Sequence, residues 1–177
     1  DIAQNGNPHF WLDPHYAKVY AQKIHDQLVA LDPAGSATYD ANANAYLAQL
    51  DDLDTWIQQQ VFTIPAENRK LVTFHEAYPY FAARYGFQLI GAITPSPGQD
   101  PSAGELAQLV DRVKAAHVKA VFSEAQFSPK LTQTLADEAG VRQVITDLYN
   151  DSLGDPPADS YIGMMRYDVG RMVQALA

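Results

Sequence analysis

No cysteine occurs anywhere in the chain, which excludes thiolate metal sites, disulfides and cysteine nucleophiles at once. Basic residues are scarce. Twelve Lys and Arg stand against twenty-one Asp and Glu, a formal net charge of −9. With no run of Lys or Arg, nucleic acid and anionic membrane surfaces are poor partners and cations are better ones. Long hydrophobic runs are missing too: nothing approaches the length of a transmembrane helix, and no basic-then-apolar leader opens the sequence. Several catalytic signatures are absent. Gly98 and Gly104 lack the neighbours of a phosphate loop, no Gly-x-Ser-x-Gly elbow occurs, and His75-Glu76 runs into Ala77-Tyr78-Pro79 rather than a second zinc-protease histidine. What is present is ordinary for a globular domain: 47% hydrophobic and 19% charged residues over 177 positions, enough for one large domain or two small ones with a real core.

Periodicity divides the chain. From Pro14 to Leu31, Tyr16, Tyr20, Ile24, Leu28 and Leu31 form one stripe of an amphipathic helix that stops at Asp32-Pro33. A second stripe, Tyr39, Ala43, Tyr46, Leu50, Leu53, Ile57 and Val61, predicts a helix from Ser36 to Thr63. At the standard rise it is roughly 40 Å long, a length that suits a strut between two lobes. The period then changes. Strands are expected at 70–74, 87–93, 120–123 and 141–145, with helices at 78–85, 102–116, 128–139 and 160–176 and a loop at 94–98. Alternation of this kind predicts an α/β fold: a four-stranded parallel sheet flanked by helices, preceded by an amphipathic helix and a long inter-lobe strut helix. Ligands of such sheets gather beyond the carboxyl ends of the strands.

Among the five histidines, His9 is held in a proline-bracketed turn. Pro8 biases Asn7 toward an extended backbone, and Pro14 suits the first position of a helix capped by Asp13. His75 directly follows a strand, at the edge where ligands gather, although a hydrogen-bonded turn histidine would sit there as well. His15, His25 and His117 read as helix-surface or helix-terminal residues. Of the acids, Glu124 ends the third strand. Glu76 suits the first turn of a helix, where a carboxylate favours the dipole. Asp159 lies in a Gly/Pro-rich loop, where a helix N-cap is the ordinary role. Asp147 and Asp151, beyond the fourth strand, are weaker candidates.

These candidates fall in a familiar order. Asn7-Pro8-His9-Phe10-Trp11-Leu12-Asp13-Pro14, the stretch from Val72 through His75-Glu76-Ala77-Tyr78-Pro79 to Gly86, Phe122-Ser123-Glu124, and Ala158-Asp159-Ser160-Tyr161-Ile162-Gly163-Met164-Met165 each resemble a segment of the solute-binding proteins of zinc and manganese ABC importers. The resemblance covers essentially the whole chain, and four motifs in series are specific where each alone is moderate. It implies metal ligands at His9, His75 and Asp159, with Glu124 and Glu76 as carboxylates supporting the ligands from behind. It also implies a further histidine from a segment upstream of His9. The chain then reads as residues 1–33 of an N-terminal lobe, a strut over 34–64 and a C-terminal α/β lobe over 65–177, a fragment of a longer protein.

Three nitrogens and one oxygen suit tetrahedral Zn²⁺, with Mn²⁺ as the alternative cargo. The expected function is capture of that metal outside the cytoplasm, by a periplasmic protein or a membrane-anchored lipoprotein, for delivery to an ABC importer permease. No catalysis and no nucleic acid are implied. Two other readings compete: an adhesion or interaction module without metal, and a zinc-dependent hydrolase with Glu124 as general base. Because the first helix would have lost the lobe on which its stripe packs, this shortened chain is also expected to self-associate.

Overall fold

A computed structural model describes residues 6–94 and 98–177. Residues 95–97 of the expected loop, and the residues ahead of Gly6, lie outside that description. Six α-helices and four β-strands alternate as the periodicity predicts: α1 Pro14–Leu31, α2 Ser36–Phe62, β1 Lys70–Thr73, α3 Pro79–Tyr85, β2 Gln88–Ala92, α4 Ala103–Ala115, β3 Ala120–Glu124, α5 Lys130–Ala139, β4 Gln143–Leu148 and α6 Tyr161–Leu176. None of the described helices is long and apolar enough to cross a membrane.

Local chemistry explains the boundaries. Asp13 caps α1 by accepting from His15 N, with Pro14 in the first turn. Ser102 and Glu105 form a reciprocal capping box at the start of α4. Gly86 and Gly140 end α3 and α5 at φ of 75° and 73°, a left-handed conformation that other residues adopt at a cost. Asp159 is not the cap of α6. Ser160 is, its side chain accepting from Gly163 N.

The strands pair in parallel, β1 with β2 and β3 with β4, as two two-stranded sheets rather than one ladder of four. β1 and β3 lie side by side. Each pair slips register near its middle, between Leu71 and Val72 and between Phe122 and Glu124. Such slips raise the local twist and work against continuing the ladder from β1 into β3. The layering is otherwise as expected. Leu71, Ala120 and Phe122 face one core with Leu50, Leu53 and Ile57 of α2, Phe81 of α3 and Met165, Val169 and Met172 of α6. The alternate residues Val72 and Val121 face a second core with Leu109, Val110 and Val113 of α4 and Leu135 of α5. This period of two covers both faces with helices.

α1 and α2 pack on each other. Only the second half of the α2 stripe (Leu50, Leu53, Ile57 and Val61) is buried. The α1 stripe stays largely open: Tyr20 is 43%, Ile24 61%, Leu28 40% and Leu31 82% exposed.

Candidate metal centre

Three donors meet at the carboxyl edge of the strands. His75 lies just past β1, Asp151 just past β4, and the turn bearing His9 crosses over both. His9 opens a 3-10 turn over Phe10–Leu12 and His75 is 1% exposed. The two Nε2 atoms are 3.2 Å apart. Asp151 straddles the pair, with Oδ1 at 3.4 Å from His9 Nε2 and Oδ2 at 3.5 Å from His75 Nε2.

Those three separations have a simple reading. Zinc bonds to nitrogen and oxygen run about 2.0–2.1 Å, and the edge of a tetrahedron with such bonds is about 3.3–3.4 Å. The two imidazole nitrogens are thus about one tetrahedral edge apart, and each faces its own oxygen of the Asp151 carboxylate at a similar spacing. Two facing imidazole lone pairs repel unless a cation lies between them or one ring holds a proton. Burial lowers the pKa of His9, the neighbouring His75 lowers it further, and Asp151 offsets part of the shift. A neutral imidazole is the form that ligates metal.

His9 has a hydrogen-bond acceptor on its other nitrogen, whereas His75 Nδ1 makes no hydrogen bond to the described residues and has a carboxylate nearby. His9 Nδ1 and its backbone N–H both lie 3.0 Å from Asn7 Oδ1. Asn7 in turn donates from Nδ2 to the Glu76 carbonyl at 2.7 Å, and its own carbonyl accepts from Tyr80 O–H at 2.8 Å. The His9 turn is thus tied to the segment after His75 before any ion arrives. Behind His75, Glu124 is 1% exposed and its Oε1 lies 3.4 Å from His75 Nδ1. Thr73 Oγ1 and Ala77 N both donate to the His75 carbonyl at 2.8 Å, fixing the backbone there.

The expected residues divide accordingly. His9 and His75 come together, and Glu124 stands directly behind His75. Asp159 does not join them: it is exposed ahead of the α6 cap, and Asp151 is the carboxylate that lies beside the two imidazoles. The reason lies in β4, which runs on to Leu148 rather than stopping at Ile145. That extension carries the strand edge toward Asp151 and leaves Asp159 well past it. Glu76 also differs from expectation, since its side chain is exposed and its carbonyl makes the contact to Asn7. Asp147 is engaged by α6, accepting from Tyr167 O–H at 2.7 Å and Arg171 Nε at 3.0 Å. His25 lies away between Asp26 and Asp40. Glu124 lies on the Nδ1 side of the His75 ring rather than on the Nε2 side that faces His9 and Asp151. Sequence reasoning missed Asn150 and Asn7, whose roles rest on contacts that no spacing announces.

Parallel strands covered by helices on both faces, with imidazole and carboxylate groups converging at their carboxyl edge, present a donor set suited to a metal ion. Comparison with known proteins gives the chain a family. The chain belongs to the metal-binding solute-binding proteins of ABC importers, matching the family described as zinc-uptake complex component A, periplasmic, over residues 2–175. It is 36% identical over 173 residues to the manganese-binding lipoprotein MntA of Halalkalibacterium halodurans, covering 97% of this chain and 57% of that protein. It is 37% identical over 158 residues to the high-affinity zinc uptake system protein ZnuA of Brucella abortus, covering 89% and 46%. The solved structure of the periplasmic zinc-binding protein TroA from Treponema pallidum superposes with a TM-score of 0.87 at 28% identity, covering 97% of this chain and 64% of that one. The chain spans about half the length of the curated relatives it matches.

Proposed function

We propose that this chain takes part in extracytoplasmic capture of a divalent metal ion, Zn²⁺ by the balance of its donors, for delivery to the permease of an ABC importer. The ligands are His9 and His75 through Nε2 and Asp151 through its carboxylate, with the remaining corner completed by a donor outside the described residues. The observation that carries this is the convergence of two imidazole nitrogens 3.2 Å apart with the Asp151 carboxylate, whose two oxygens lie 3.4 and 3.5 Å from them, spacings that one cation with bonds of about 2.0–2.2 Å can bridge. Two imidazoles favour zinc over the harder Mn²⁺, which prefers more oxygen and a higher coordination number. Relatives named for zinc and for manganese fit a site whose selectivity is modest. In the same reading, residues 34–64 act as the strut and 65–177 as the metal-holding lobe.

Zinc titration in competition with a chelator tests it. His9→Ala, His75→Ala and Asp151→Ala should each weaken binding by about tenfold or more, while Asp159→Ala and His25→Ala leave it unchanged. A loss with Asp159→Ala and none with Asp151→Ala would overturn the ligand set.

A further inference from the structure

A line of buried side chains joins the three donors from behind. Glu124 and Asn150 are each 1% exposed, and Asn150 Nδ2 donates to Glu124 Oε1 at 2.6 Å. That same oxygen is the one facing His75 Nδ1 at 3.4 Å. The Asn150 backbone carbonyl accepts the Trp11 indole N–H at 2.6 Å, and Trp11 lies in the turn that His9 opens, their rings 5.2 Å apart. Asp151 is the next residue along the chain. One asparagine therefore touches the carboxylate behind His75 and the indole beside His9, and directly precedes Asp151. Its amide has one sensible orientation: the Glu124 carboxylate only accepts, so Nδ2 faces it and Oδ1 is left to accept from Gln126 Nε2 at 3.4 Å.

We propose that Asn150 and Glu124 form a positioning pair that sets the tautomer of His75 and anchors the residue before Asp151, and that metal affinity depends on the pair acting as a unit. The inference rests on the metal reading above. For Nε2 to offer its lone pair to a cation, the proton of a neutral His75 must sit on Nδ1, which makes no hydrogen bond to the described residues; Glu124 Oε1, 3.4 Å away, is the acceptor within reach of a small adjustment. A buried carboxylate with nothing to hold it would turn toward any available donor. Asn150 supplies that restraint, because Glu124 Oε2 makes no hydrogen bond to the described residues. His9 is supported differently, by the neutral amide of Asn7. A carboxylate makes the stronger, charge-assisted acceptor, so damage to the pair falls on His75.

The test is zinc affinity, measured by chelator competition on this chain, with His75 ring nitrogen shifts read by NMR in the metal-free protein. Asn150→Asp replaces the donor with a second carboxylate facing Glu124 and should weaken zinc binding by about 10- to 100-fold; Glu124→Ala should do the same. Glu124→Gln keeps an oxygen able to accept from both partners and should stay within about threefold of wild type. The double variant N150A/E124A should lose little more than the worse single variant, because the two act together. His75 should be Nδ1-protonated in wild type and a tautomer mixture in Glu124→Ala, a change that mere loss of stability would not produce. Asn150→Ala serves in place of Asn150→Asp should the latter not fold. Wild-type affinity in the Asn150 variants, or strictly additive losses, would overturn the pair. Should His75→Ala also bind as wild type, the metal reading falls; should His75→Ala lose zinc while the Asn150 variants keep it, the pair alone falls.

Discussion

Arg84→Ala should destabilise the fold by about 2–3 kcal/mol at neutral pH. The guanidinium, on α3, makes two hydrogen bonds to Asp54 of α2, at 2.7 and 2.6 Å, and its Nε lies 3.3 Å from Asp13, the cap of α1. Tyr85 O–H also donates to Asp54 at 2.7 Å. Exposed ion pairs contribute about 0–1 kcal/mol, whereas removing one partner of a buried pair costs about 3–5 kcal/mol. The side chains here are 27% exposed for Arg84, 18% for Asp54 and 6% for Asp13, which places the cost between those limits. The loss corresponds to a fall of about 4–12 °C in Tm for a chain of this size.

Its pH dependence follows from the acids left behind. Burial holds the Asp13 pKa above the ordinary carboxylate value, so its ionised form costs stability that returns as pH falls toward that value. Burial also pushes Asp54 up, yet the hydrogen bonds from Arg84 and Tyr85 bring its pKa below the ordinary value. Asp54 therefore contributes stability above about pH 4 that is lost as pH falls through its folded pKa. Without Arg84 both acids are worse off when ionised and their folded pKa values rise, so the gap to wild type is widest near neutrality and narrows as pH falls through those raised values. Urea denaturation of both proteins at several pH values measures it. A gap under about 0.5 kcal/mol at neutral pH, the range of ordinary surface changes, would refute the reasoning; so would a gap that fails to narrow in acid.

Leu53→Ala removes a side chain with 0% exposure and should cost about 2–5 kcal/mol in the same denaturation assay. Ile24→Glu, at a position 61% exposed, should change stability by less than about 0.5 kcal/mol and reduce the concentration-dependent association expected from the open α1 stripe, as sedimentation would show. His25 should titrate above its ordinary value, because Asp26 and then Asp40 hydrogen-bond to its ring. Its contribution to stability is complete below about pH 6.5 and is lost as pH rises through the folded pKa, so Asp40→Asn should lower the NMR-detected pKa and flatten that dependence.

The elements were legible because their signals are local. Pro14 and Asp32-Pro33 bracket α1, and Gly86 and Gly140 stand directly after α3 and α5, where glycine takes the left-handed backbone that ends a helix. His9 and His75 stood out as candidates, one from its proline-bracketed turn and one from its place directly after an apolar strand, and the fold brings their rings together. The carboxylate beside them was not legible. Asp151 and Asp159 both stand in the polar stretch after β4, and no periodicity tells which carboxylate turns inward. That depends on where β4 ends, and Asp147-Leu148 gives no breaker to mark it. The break between β1 and β3 was hidden for a related reason, since register slips arise from packing between strands rather than from either strand alone. Asn150 was invisible because its contacts reach Glu124, Gln126 and Trp11, all remote in sequence.

The most direct test of the metal site is a crystal structure of this chain with Zn²⁺, with anomalous difference density collected on both sides of the zinc absorption edge. The account predicts one strong peak bonded to His9 Nε2, His75 Nε2 and an Asp151 oxygen at about 2.0–2.2 Å. A peak coordinated by Asp159, or zinc bound only at surface carboxylates with His9 and His75 left unligated, would contradict it.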